Sequence, residues 1–350
     1  MNMSTYSSRS AVTTAGKCPR IVCCTPANDN WQQLPVLLSE KPRQWYFCND
    51  QPGGLLEKLV RRPNLALIRA SWQAIQQVKR QRADLLVTSH PTATFWCAIF
   101  AVLQNIRIDH IALSFYLSQL PHGMRYVLAQ WAYSTVTKLI VHSKAERQFY
   151  SEYFGIPSAR FEMQHWGNVL PDARPIAPLQ PGEYVCAISE RPQDYQTLMA
   201  AIARLPHVRL VIVVPRGRMI TTRLAANVVV MTGLSVANRM NILRHSRFLL
   251  LPSHAYNPCD HQTLVAAMRL GKAFVAPDTP NVSDYAFHNA NALLYQPSNP
   301  ESLAQAIDTL WQDVIKCEIL GANGQEFATA FCSDASTRHY FQQLLIRRGL

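Results

Sequence analysis

Residues 242–253, Ile-Leu-Arg-His-Ser-Arg-Phe-Leu-Leu-Leu-Pro-Ser, run on into HAYNPCDHQTLVAAMRLGKAFVAPDTPNVSDY (254–285), and ANALLYQPSNPESLAQAI follows at 290–307. The order reads as a buried strand, a polar loop ending on a helix start, a second strand, another polar loop, a short strand and a helix. Open α/β sheets bind nucleotides and other phosphates where strand ends open into polar loops and helix N-termini. A phosphate-bearing ligand is therefore the first expectation.

Outward from that stretch, apolar runs alternate with amphipathic segments, the mark of parallel β/α units. Strands are expected at Arg20–Cys24, Asp84–Thr88, Ile111–Ser114, Lys138–His142, Glu183–Ile188, Val208–Val214 and Val228–Met231. Ser143 and Glu146 form a Ser-x-x-Glu capping pair, so a helix should begin there and stop at Gly155. Tyr195, Leu198, Met199, Ile202 and Leu205 share one helix face. Asn299-Pro300-Glu301 starts what reads as the last regular helix, with Leu303, Ile307, Leu310, Trp311 and Val314 as its core stripe. The segment Tyr126–Tyr133 is amphipathic; a core-facing helix is favoured over one resting on a membrane, because apolar stripes at helical spacing usually pack inward.

Residues 169–182, VLPDARPIAPLQPG, hold four prolines and suit a semi-stiff connector. The expected organisation is a loose tail over 1–16, a first domain over 17–172, a linker over 173–182, a second domain over 183–330 and a C-terminal segment over 331–350. The tail lacks the apolar core of a secretory signal, and Thr92–Leu103 falls short of the roughly 20 apolar residues that cross a bilayer. The nine cysteines are scattered without metal-ligand spacing, which suits reduced packing residues and gives no reason to expect zinc or a disulfide framework. A cytoplasmic protein, with a peripheral place on the inner membrane face as an open alternative, is the expectation.

The net charge of +12 is uneven: residues 1–180 hold 19 Lys and Arg against 10 Asp and Glu, the remainder 15 against 12. Such a first half suits anionic lipid head groups, anionic acceptors or nucleic acid. No nucleic-acid motif accompanies it, so nucleic acid is not expected as a partner.

The second half resembles the donor-binding half of nucleotide-sugar glycosyltransferases of the GT-B fold, in Pro252-Ser253, Ala267-Met268, Gly271 and the apolar strand Ala273–Ala276. Weaker likeness extends over roughly 137–345 and includes VHSKAERQFYSEYFGIP at 141–157. The resemblance implies an α/β fold of two Rossmann-like domains facing across a cleft. It implies transfer of a sugar from a nucleotide diphosphate, UDP or GDP, to a glycan, lipid-linked or other anionic acceptor. No metal is needed if cations and helix dipoles carry the diphosphate charge.

The same likeness suggests site residues. Arg191 is the best diphosphate ligand, since a guanidinium fork meets phosphate oxygens in pairs, and Arg216 is a weaker one. The family's two glutamates, seven residues apart, are missing: Ala266 stands at one position and Tyr256–Asp260 at the region of the other. A variant pattern, Asp260-His261-Gln262-Thr263-Leu264 with Gly271-Lys272, resembles other relatives and places Ser253, Tyr256, Asp260, His261, Gln262, Thr263 and Lys272 near the donor. For the first domain, His90, Asp109 and His122 are the catalytic candidates, as titratable groups near strand ends. A sugar-nucleotide epimerase, a non-catalytic binding protein and a pseudoenzyme stay open as alternatives.

Overall fold

The computed structural model describes residues 18–26, 38, 42–51, 64–117, 119–167, 177–189, 193–253 and 260–350. The expected tail, residues 173–176 of the linker, Arg191 and Tyr256 lie outside them. The described residues form two six-stranded sheets, each parallel throughout.

In the first sheet the strands are β1 (Arg20–Cys24), β2 (Gln44–Cys48), β3 (Leu85–Thr88), β4 (Asp109–Ala112), β5 (Lys138–Val141) and β6 (Phe161–Met163), in the order β2-β1-β3-β4-β5-β6. One face is covered by α1 (Leu65–Gln81), α2 (Pro91–Leu103), α3 (Met124–Ser134) and α4 (Lys144–Phe154). The second sheet contains β7 (Val185–Ile188), β8 (Leu210–Val214), β9 (Val228–Thr232), β10 (Leu249–Leu250), β11 (Phe274–Pro277) and β12 (Leu293–Tyr295), in the order β12-β11-β10-β7-β8-β9. Its helices are α5 (Tyr195–Ile202), α6 (Val236–His245), α7 (His261–Arg269), α8 (Pro300–Gln312) and α9 (Val314–Phe331). Strands such as LVIVV at β8 are buried along their whole length because helices cover both faces, which is why they read as unbroken apolar runs.

A last helix, α10 (Asp334–Ile346), leaves the second lobe. Its Phe341, Leu344 and Leu345 pack with Ile21, Val87, Ile111 and Ile140 on the other face of the first sheet. Arg348 just beyond it holds Asp109, Nε to Oδ2 at 2.6 Å.

Three expectations are corrected. The helix beginning at Pro300 ends at Gln312; Asp313 caps a new helix, α9, and Val314 is half exposed rather than core. The strand read as Ile111–Ser114 begins two residues earlier, because Asp109 is paired with Arg348 and His110 finds Thr88 Oγ1 at 3.1 Å, so both polar residues fit the sheet. The amphipathic segment is α3, but it buries its small side, Ala129 and Ala132 with Tyr133, and leaves Val127 and Trp131 exposed.

Burial holds His110 near a pKa of about 3. Above pH 6.5 the ring is neutral in both folded and unfolded chains and contributes no pH dependence. Below it the unfolded chain takes up a proton that the folded chain refuses, so stability falls as pH drops toward 3. Urea unfolding should therefore lose about 2 kcal/mol from this residue between pH 6.5 and 5, and His110→Gln should flatten that slope. Equal slopes in the two proteins would show that the histidine is hydrated.

The described cysteines are free thiols. Burial pushes Cys48, Cys186 and Cys332 up to about 12, which leaves them as packing residues rather than nucleophiles.

Candidate functional site

In a parallel sheet every strand ends on the same edge, and here the two such edges face a cleft of about 380 Å³. The first lobe lines it with His90, Pro91 and Thr92 after β3, Tyr116, Leu117 and Gln119 after β4, His142 and Glu146 after β5, and Trp166 after β6. The second lobe contributes Asp260, His261 and Gln262 at the start of α7. Four sequence candidates, His90, Asp260, His261 and Gln262, thus meet in one cavity.

His90 caps α2: its Nδ1 accepts the Thr92 N–H at 3.2 Å. Burial lowers its pKa, against a smaller opposing effect of Asp50. In this tautomer the ring offers an N–H at Nε2, so His90 can donate a hydrogen bond in the cleft but is poorly arranged to act as a base. Asp260 caps α7, its Oδ1 accepting the Thr263 N–H at 3.2 Å, while Oδ2 accepts from the Ser189 hydroxyl at 3.0 Å. Gln193 Nε2 in turn donates to Ser189 Oγ at 2.8 Å. The Thr263 amide is therefore spent on the cap, and Thr263 and Ser253 are both buried, Ser253 three residues after β10. Gln262 is exposed on the cleft wall.

Four candidates lie outside the cavity. Asp109 opens β4 and Lys272 precedes β11, so both sit on the edge facing away from the cleft. Asp109 is held by Arg348, and Lys272 donates to the Ser246 carbonyl at 2.7 Å, with its pKa lowered by burial. His122 is exposed in the turn before α3 and is not among the cavity's lining residues. Arg216 is exposed and lies over Gly233, whereas Arg218, two residues on, is half-buried near Tyr195.

The C-terminal edge of the second sheet carries a further signal. Gln193 Oε1 (after β7), Arg218 Nη1 (after β8), Thr279 Oγ1 (after β11) and Tyr295 OH (ending β12) are buried and find no hydrogen-bond partner among the described residues. Buried polar atoms are nearly always satisfied, so such a row of them along one sheet edge points to a polar ligand. Gln193 and Arg218 each stood two residues from a cation singled out in the sequence, Arg191 and Arg216, whereas nothing local marks Thr279 and Tyr295.

The lobes are fastened beside the cavity. Asp284, in the loop after β11, accepts the Lys144 N–H at 2.7 Å at the N-terminus of α4, and its other oxygen lies 3.1 Å from Lys144 Nζ. Tyr285 OH donates to the His142 carbonyl at 2.7 Å and accepts the Trp166 N–H at 2.9 Å. His165 Nε2 reaches the Asp284 carbonyl at 3.1 Å. Glu146, read from sequence as a cap, does more: Ser143 Oγ accepts its N–H at 3.0 Å, but its Oε2 accepts the His142 N–H at 2.9 Å and its Oε1 faces His261 Nδ1 of the other lobe at 3.8 Å. His142 completes the wall, with Nδ1 3.0 Å from the Gln164 carbonyl and Nε2 3.1 Å from Ser114 Oγ. Among the described residues there is no group of three or more His, Cys, Asp or Glu placed to hold a metal ion.

Residues 184–313 match the family model described as Glycosyl transferases group 1. No curated protein matches the chain by sequence. Among solved structures it is similar to a sucrose-phosphate synthase from Thermosynechococcus elongatus, at 15% identity and a TM-score of 0.69 over 95% of this chain and 99% of that one. It is similar to Anabaena HepE in complex with UDP-glucose, at 14% identity and a TM-score of 0.65 over 94% and 99%. A UDP-N-acetylglucosamine 2-epimerase is also similar, at 13% identity and a TM-score of 0.56 over 95% and 97%. The fold is GT-B, as the resemblance implied.

Proposed function

We propose, from a GT-B chain whose second lobe carries a group 1 glycosyl transferase match, that this protein transfers a sugar from a nucleotide diphosphate to an acceptor hydroxyl. The observation that carries the reading is the row of buried polar atoms at Gln193, Arg218, Thr279 and Tyr295 that find no partner among the described residues, on the edge where such a donor would lie. The donor diphosphate meets Arg218 and the N-terminal end of α7, so the charge that develops on the leaving group falls on a fixed cation and a helix dipole. Arg191 remains a second cation for the same task. The acceptor enters against the first lobe, where His90 Nε2 offers a hydrogen-bond donor. HepE, caught with UDP-glucose, supports a nucleotide-sugar donor; the reading takes a glycan or lipid-linked acceptor as its substrate class.

A thermal-shift panel of nucleoside diphosphates and nucleotide sugars tests this. One nucleotide sugar at a hundredfold excess over its dissociation constant should raise the melting temperature by about 5–10 °C, and Arg218→Ala should remove most of that rise. Indifference to the whole panel would overturn the donor site. Turnover of the same nucleotide sugar without any acceptor would instead favour the epimerase chemistry seen in one structural neighbour.

A further inference from the structure

The helix α3 turns an apolar stripe to solvent. Met124, Val127, Leu128 and Trp131 recur at the spacing of a single helix face, and they are 78%, 55%, 47% and 43% exposed. Beside α3, the C-terminal end of α2 exposes Val102 and Leu103, at 40% and 70%. A contiguous apolar strip on a protein surface marks an interaction site rather than scattered exposure.

Charge selects the partner. The helices α1, α2 and α3 contain no Asp or Glu at all. Lys79, Arg80, Arg107 and Arg125 are exposed on or between them. The acids of this stretch, Asp84 and Asp109, are engaged: Asp84 accepts the Arg20 N–H at 2.9 Å and Asp109 pairs with Arg348. A second copy of the chain would set this basic surface against itself, whereas an anionic bilayer complements both the cations and the apolar stripe, with Trp131 of a type suited to the lipid–water boundary.

We propose that the outer face of α3, with the end of α2, docks the protein onto an anionic lipid surface. Among the described residues no helix is long and apolar enough to cross a membrane, so the attachment is by lying on the surface. Met124, the first residue of α3, follows the loop from the C-terminal end of β4, so the stripe starts on the cleft side of the first lobe. It then runs along α3 toward the opposite edge, where Val102, Leu103 and Arg107 lie, so docking lays the side of the first lobe on the lipid. The proposal stands on this surface alone and needs no transferase activity.

Flotation of the full chain with vesicles of phosphatidylcholine, with and without phosphatidylglycerol, is the test. The wild type should float with the anionic vesicles only, and less as salt rises. Leu128→Glu with Trp131→Glu should cut recovery by about tenfold or more while leaving the melting temperature near that of the wild type. Ile315→Glu, on α9 and more open to solvent at 70%, should float like the wild type. Equal recovery on both vesicle types, or a double variant that floats normally, would overturn the proposal. So would a wild-type dimer in sedimentation that the double variant dissolves while neither protein floats. Because flotation uses no nucleotide, its failure is separate from failure of the donor site.

Discussion

Glu146→Ala should lower the free energy of unfolding by about 3–5 kcal/mol and remove the stabilisation given by a nucleotide sugar. The side chain is 2% exposed, so its carboxyl group is buried between His142 of its own lobe and His261 of the other. Deleting it strands the His142 N–H, at a cost of about 1–3 kcal/mol, and leaves His261 without the carboxylate that faces it from across the cleft. The damage spreads because His142 also supplies the carbonyl that takes Tyr285 OH, one of the fastenings between lobes. Glu146→Gln separates the two roles. An amide oxygen can still accept the His142 N–H, so most of the stability should return, within about 1 kcal/mol of wild type. The carboxyl group opposite His261 is gone, however, and kcat/KM for donor turnover should fall by about a hundredfold or more. Urea unfolding of both variants, with donor turnover, distinguishes these outcomes. An alanine variant as stable as the wild type would mean that the carboxylate is hydrated and that the lobes do not depend on it.

What the sequence could and could not show follows from where the information lies. The second lobe was readable because its strands are buried on both faces and its helices announce themselves with side-chain caps at Asp194, Asp260 and Asn299. In the first lobe β2 (QWYFC) and β6 (FEM) escaped notice: both are edge strands, partly exposed, with no unbroken apolar run. Candidates that follow a strand, such as His90 and Asp260, came together in the cavity, while Asp109 and Lys272, at or before the start of theirs, fell on the far edge. That distinction was available from strand polarity alone. Glu146, His142 and Tyr285 were out of reach, since their meaning depends on contacts between residues more than a hundred positions apart. For α3 the pattern held two apolar stripes, and periodicity does not say which one turns inward. The alanine side does, because small residues let the helix pack closely against its neighbours.

Gly321→Val should destabilise the fold by about 3 kcal/mol or more, against the sign that helix propensity alone would give. Glycine inside a helix costs roughly 1 kcal/mol relative to alanine, so its place in α9 needs a reason. A Cβ built at Gly321 would run into the Gly271 carbonyl oxygen and stand only 3.0 Å from its carbon and 3.1 Å from the Ala273 nitrogen. All three atoms are backbone and cannot swing aside. Gly271 is itself fixed, with φ at +66° in the left-handed turn that ends α7, where Lys272 N–H bonds the Ala267 carbonyl at 2.9 Å. A side chain at 321 must therefore push α9 off α7, and α7 carries Asp260 and His261 into the cleft from its other end. Ligand-induced stabilisation should weaken along with the fold. Gly324, one turn further, is the matched control: its nearest neighbour would be the flexible Met268 side chain at 3.6 Å, so Gly324→Ala should be neutral or stabilising by up to about 1 kcal/mol. If the two glycines respond alike in urea unfolding, close approach of α9 to the Gly271 turn does not explain either, and the position of α7 must be set by other contacts.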